Sequence, residues 1–190
     1  ELRTEWGNPR TVFLGVDRID YTKGIPERLE AYEALLRCGR LTVEDTVMVQ
    51  AGSPSRENVP SYQALRARID AIVLRINQEF QSLEGRPAVI YSAQNLERAE
   101  MLALFVAADV MVVSSLRDGM NLVAKEFVAC KNDESGVLIL SPFTGAADHM
   151  VDALIADPTK SVALQSRMLQ ATAMTPEEQQ RRMVVLRDEV

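Results

Sequence analysis

The sequence has 190 residues, 47% hydrophobic and 25% charged, enough apolar material for one well-packed core. Its formal net charge of -6 excludes the broad basic field of a nucleic-acid or membrane-surface binder, though not a local basic pocket for phosphate. Two distant cysteines, Cys38 and Cys130, and a single histidine, His149, offer no metal-type spacing, and no apolar run approaches the ~20 residues of a membrane span. We expect a reduced, cytoplasmic setting, without nucleic acid, membrane or metal; a homo-oligomer stays open.

Residues 1–10 read as the tail of an earlier element entering a strand, and 176–190 as a charged, helix-like stretch without a cap. Both ends look cut, so a piece of a longer protein is expected. Between them, six short apolar runs recur: Thr11–Val16, Thr46–Ala51, Ala88–Ser92, Val110–Ser114, Val137–Leu140 and Ala153–Ala156. They are rich in Val, Ile and Leu and apolar on both faces, as strands buried between two helical layers are. Helical segments are expected near 26–37, 60–84, 97–107, 119–131, 145–150 and 160–173. Pro26 suits a first helical turn, where the missing N–H costs little. Six such repeats predict an α/β fold: a doubly wound, parallel, six-stranded, Rossmann-like sheet in a single domain spanning 1–190. Ligands of such sheets bind outside the carboxyl ends of the strands, at the switch in strand order.

The loops after the strands therefore carry the chemistry. The first reads Gly15-Val-Asp-Arg-Ile-Asp-Tyr-Thr-Lys-Gly24. Arg18 offers a rigid fork to phosphate oxygens and Lys23 a point charge; Gly24 and the following helix start add close backbone approach and free N–H donors. Together they could hold a diphosphate without a metal, or simply pair with Asp17 and Asp20 on the surface. In the second loop, 51–60, Arg56 sits among turn formers, either meeting a second anion or lying free. The third, Ser92–Glu97, has polar backbone for a base edge, a weak signal.

The fourth loop reads Ser114-Ser-Leu-Arg-Asp-Gly-Met-Asn-Leu-Val-Ala-Lys-Glu126. Asp118 and Gly119 are expected to turn the chain, with Met120, Asn121 and Leu122 as first helical positions whose N–H groups lack intrahelical partners. Glu126 falls one turn beyond Leu122, on the same face, and reads as a ribose-binding acid or a solvated one. The fifth loop, Ser141–Asp148, is rich in small residues and suggests close packing. His149 beside it reads as structural. Neither G-x-G-x-x-G nor G-x-x-x-x-G-K-[ST] follows the first strand, no D-x-D is formed by Asp17 and Asp20, and no Ser/His/Asp constellation exists. What remains is a site acting by binding and charge stabilisation.

Jointly, "GVDRIDYTKGIPERLEAYEALL", "QAGSPSRENVPSYQALR" and "SSLRDGMNLVAKEFVACK" resemble the carboxyl-terminal domain of the trehalose-6-phosphate synthases, retaining transferases with two facing doubly wound domains (the GT-B fold). The likeness runs from about residue 8 to about residue 157 and is weak over the last thirty or so. It implies that Arg18 and Lys23 hold the donor diphosphate and that Asp118 bonds donor glucose hydroxyls. It also implies that Gly119, Met120, Asn121, Leu122 and Val123 offer backbone N–H groups, Glu126 grips the ribose, Leu96 frames the base and Arg56 reaches the acceptor phosphate. The implied reaction moves glucose from UDP-glucose, or another NDP-glucose, to glucose 6-phosphate, without cofactor or metal. A second domain would supply most of the acceptor site, so this chain alone is expected to bind donor weakly and catalyse nothing. Two alternatives remain: a related transferase with another acceptor, such as a glucosylglycerol-phosphate synthase or a pseudo-glycosyltransferase, and a non-catalytic domain that senses sugar nucleotides. The donor base is not legible.

Overall fold

The computed structural model describes residues 2–56 and 58–190; Glu1 and Glu57, within the expected segments 1–10 and 51–60, lie outside the described residues. Six parallel strands form one sheet in the order β3-β2-β1-β4-β5-β6. They are β1 (Thr11–Arg18), β2 (Thr46–Ser53), β3 (Val89–Ser92), β4 (Val110–Val113), β5 (Val137–Leu140) and β6 (Leu154–Ile155). All six expected runs are strands. The first two extend further than their apolar stretches, so Arg18 ends a strand rather than lying in a loop.

The helices are α1 (Leu2–Glu5), α2 (Ile25–Arg37), α3 (Pro60–Glu79), α4 (Arg98–Ala107), α5 (Leu122–Cys130), α6 (Ser161–Ala173) and α7 (Pro176–Arg187), with 3-10 turns at Tyr21–Lys23 and Gly145–Asp148. Pro26 lies in the first turn of α2, as its fixed φ favours. Residues 1–10, expected as an entering tail, contain the short α1. The expected helix 60–84 stops at Glu79, where Phe80 turns extended and donates back to Ile76 O. The stretch 176–190, expected uncapped, is capped at both ends: the Thr175 side chain accepts from Glu178 N, and Asp188 N–H donates to carbonyls of the last turn.

Alternate residues of β1 to β5 feed two cores, which is why those runs are apolar on both faces. Phe13, Met48, Val112 and Ile139 point to the layer of α2, α3 and α6, with Leu29, Ile69 and Met168 among their neighbours. Leu14, Val49, Met111 and Leu138 point to the other layer, with Phe105 of α4, Phe127 of α5 and Met183 of α7. Tyr32 is fully buried and shares a hydrogen bond of 3.0 Å with Thr46 Oγ1, which satisfies its hydroxyl. Strand order reverses between β1 and β4, so the crevice for a ligand opens between the loops that follow them. No described helix is long and apolar enough to cross a membrane.

Candidate functional site

Three loops at the carboxyl ends of β1, β4 and β5 interlock to make the site. After Arg18, Ile19 N–H donates to Ser53 O at 2.8 Å, tying the loop to β2. Asp20 then caps the 3-10 turn, accepting from Thr22 N at 2.9 Å and Thr22 Oγ1 at 2.8 Å. Gly24 leaves the turn with φ at 62°, and a Cβ there would stand 1.9 Å from Ser114 O. Only glycine lets the first loop lie this close to the fourth. The contact is sealed by Ser114 Oγ donating to Gly24 O at 2.7 Å and Leu116 N–H donating to Thr22 O at 2.7 Å.

This interlock brings Lys23 to Asp118. Lys23 Nζ lies 2.6 Å from Asp118 Oδ2, with both side chains 15% exposed. Asp118 is held from its other side by its N–H donating to Phe143 O at 3.0 Å, and its carbonyl accepts from Gly145 N at 3.2 Å. Asn121 Nδ2 also donates to Asp118 Oδ2, at 3.0 Å. Burial alone would raise the Asp118 carboxyl. The Lys23 hydrogen bond and charge, with the Asn121 bond, outweigh it and hold the group below its ordinary value.

Asn121 corrects the expected helix start. It adopts φ of 73° and its side chain accepts from Ala124 N at 3.0 Å, so it caps α5 from outside. Met120 and Asn121 are therefore not helical, and the helix expected over 119–131 begins at Leu122. An Asn at this position tolerates the left-handed conformation and supplies the capping oxygen. Its other amide atom joins the cap to the Asp118 carboxylate.

The other expected residues are distributed unevenly. Arg18 stands at the rim with its side chain 60% exposed, and Nη2 lies 3.9 Å from Asp20 Oδ2. Asp17 does not pair with Arg18 or Lys23, the partners considered for it; its carboxylate meets Arg28, which is fully buried. Arg56 has φ of 46° and donates from Nη1 to Tyr62 OH at 3.2 Å. Tyr62 OH in turn donates to Asp20 Oδ2 at 3.3 Å. The two rim arginines thus meet one tyrosine–aspartate link, beside a cleft of about 330 Å³ lined by Ile19, Pro54, Ser55 and Tyr62.

Glu126 is exposed on α5, and among the described residues no hydrogen bond or ion pair joins it to Lys23 or Asp118. Leu96 is half-buried after β3 and packs against the core beneath α4 and α5. Met120 and Leu122 are exposed, Val123 packs on that core, and a Cβ on Gly119 would meet open space. Sequence reasoning missed Asp20 as a cap, Ser114, Arg28 and Tyr62. Asp20-x-Thr22 was a legible capping signal; Ser114 meets Gly24, Arg28 meets Val112 and Tyr62 meets Asp20, contacts between residues remote in sequence.

Solved structures share this architecture. An alpha,alpha-trehalose-phosphate synthase (UDP-forming) from Burkholderia xenovorans in complex with glucose-6-phosphate matches with a TM-score of 0.92 and 35% identity, over 99% of this chain and 42% of that one. An E. coli structure named for trehalose-6-phosphate and bound with UDP-2-fluoro glucose matches with a TM-score of 0.91 and 37% identity, over 98% and 41%. A trehalose-6-phosphate synthase of Mycobacterium sp. (strain JLS) is 51% identical over 190 residues, 100% of this chain and 39% of the relative's length. The fold is thus one half of a GT-B glycosyltransferase. Residues 1–190 match glycosyltransferase family 20, and the chain belongs to that family. The likeness extends past residues 8–157, where the motifs placed it, to the whole chain. The chain spans about 39% of the curated relative's length.

Proposed function

We propose that this chain is a single donor-binding domain of a retaining glucosyltransferase, one that moves glucose from UDP-glucose to glucose 6-phosphate and yields trehalose 6-phosphate. The observation that carries the reading is the Lys23–Asp118 pair at the switch point, flanked by Arg18 at the rim. An acid able to bond sugar hydroxyls beside cations able to bond a diphosphate is what a nucleotide-sugar donor requires. The relatives' complexes with glucose-6-phosphate and UDP-2-fluoro glucose support both substrates.

In this reading Arg18 and Lys23 neutralise the diphosphate as the bond from glucose C1 to the phosphate oxygen breaks. The acceptor oxygen forms its bond to C1 on the same face, and its proton passes to the leaving phosphate. Positioning and fixed charge are the protein's contribution, and the two cations take the part a metal would otherwise play. Asp118 orients the glucose; the N–H groups of Gly119, Met120, Asn121, Leu122 and Val123 face glucose and phosphate. Glu126 binds the ribose, Leu96 frames the base and Arg56 meets the acceptor phosphate. The remaining acceptor contacts belong to a further domain, and the setting is cytoplasmic.

Calorimetric titration of the chain with UDP-glucose, GDP-glucose and ADP-glucose, beside Arg18→Ala, tests this. Saturable binding that weakens in the variant, strongest for UDP-glucose, is expected. Binding that the variant leaves unchanged would remove the diphosphate assignment.

A further inference from the structure

β1 and β2 are paired along their whole length, from Thr11–Thr46 to Arg18–Ser53, whereas the ladder between β1 and β4 covers Phe13–Val110 and Leu14–Met111. Beyond Leu14 and Met111 no strand ladder joins β1 to β4, and the backbones next meet only in the loops, where Leu116 N–H donates to Thr22 O. The Arg28 guanidinium occupies that place. It is fully buried, donates from Nη1 to Val112 O of β4 at 2.5 Å and from Nη2 to the Asp17 carboxylate of β1, and Nη2 lies 3.4 Å from Lys23 O. Gly15 is the strand position beneath it: a Cβ there would stand 2.6 Å from Arg28 Nη1.

We propose that Arg28 is a positioning residue, a guanidinium strut that replaces the missing β1–β4 ladder beneath the loop interlock and so helps to set the spacing at which Lys23 meets Asp118. A planar fork can reach a carboxylate on one strand and a carbonyl on the other at once, which an ammonium cannot do rigidly. A buried ion pair is weak evidence for stability, since apolar side chains often replace one at no loss, and among the described residues Arg28 Nε is buried without a partner. The strut rests on the donor-site reading only in its consequence for donor affinity.

The test uses the full 190-residue chain carrying Asp17→Asn with Arg28→Met, which removes the pair without changing net charge. Carbon-detected NMR titration of the Asp118 carboxyl reads the Lys23 contact, urea unfolding reads stability, and UDP-glucose titration reads the site. We expect a folded variant whose Asp118 carboxyl moves up toward the ordinary range and whose donor affinity falls about tenfold, as loosened geometry does. An unmoved Asp118 carboxyl in a folded variant overturns the strut. Should the double variant fold poorly, Arg28→Lys keeps the charge but not the fork, and the same two outcomes apply. A carboxyl that moves in a chain whose wild type binds no donor would uphold the strut and sink the donor reading instead.

Discussion

Lys23, Asp118 and Asn121 form an inner group, and Arg18, Arg56 and Glu126 an outer one. The inner side chains are screened from solvent and bonded to one another across two loops. Of the outer three, Arg18 and Arg56 are exposed and touch the shared Asp20–Tyr62 link, and Glu126 is exposed on α5. The fold has already chosen the geometry of the inner group, so altering it disturbs both the chain's stability and its ligand. The outer group is shaped by what it meets, so altering it should disturb the ligand alone.

The sharpest way to break this contrast is at the glycines. Gly24→Ala forces a left-handed alanine whose Cβ collides with Ser114 O, so unfolding free energy should fall by about 3 kcal/mol in urea denaturation. A loss below about 1 kcal/mol would mean the two loops are not locked. Lys23→Ala should weaken UDP-glucose binding by about 2 kcal/mol, as a charge-assisted contact does, and should also lower the thermal midpoint by stranding Asp118. Arg18→Ala should cost about tenfold in affinity with an unmoved midpoint; a drop in midpoint would place Arg18 in the inner group.

Gly119→Ala sharpens the comparison from the other side. Its Cβ meets open space, so stability should change by less than about 0.5 kcal/mol. A fall in donor affinity in this variant would show that the ligand, not the fold, needs the glycine. The smallest effect concerns pH. The Asp118 carboxyl ionises below its ordinary value, because Lys23 and Asn121 prevail over burial. Its contribution to stability is therefore full above the unfolded pKa, about 3.9, and fades as pH falls through the lower folded value. The stability difference between wild type and Asp118→Asn should shrink below about pH 4; a constant difference would show that the charge of Asp118 is not what holds it.

Length, charge and the six apolar runs determined the doubly wound sheet, because a strand covered on both faces must be apolar at every position, and that pattern is local. The loop motifs likewise marked Lys23 and Asp118, and Arg18 at the strand end, since charged residues where a strand gives way to a helix are visible in order. Tertiary structure alone decided that Lys23 meets Asp118 rather than a neighbour, that Asp17 belongs to Arg28, and that Tyr62 joins Arg56 to Asp20. The Lys23–Asp118 and Asp20–Tyr62 contacts join segments remote in sequence, Arg28 reaches Asp17 while also bonding Val112 of β4, and no local pattern records how far apart β1 and β4 stand. The start of α5 shows the same division. Sequence could mark Asp118–Gly119 as a turn, but not that Asn121 takes a left-handed conformation and caps the helix from outside, its Oδ1 accepting from Ala124 N.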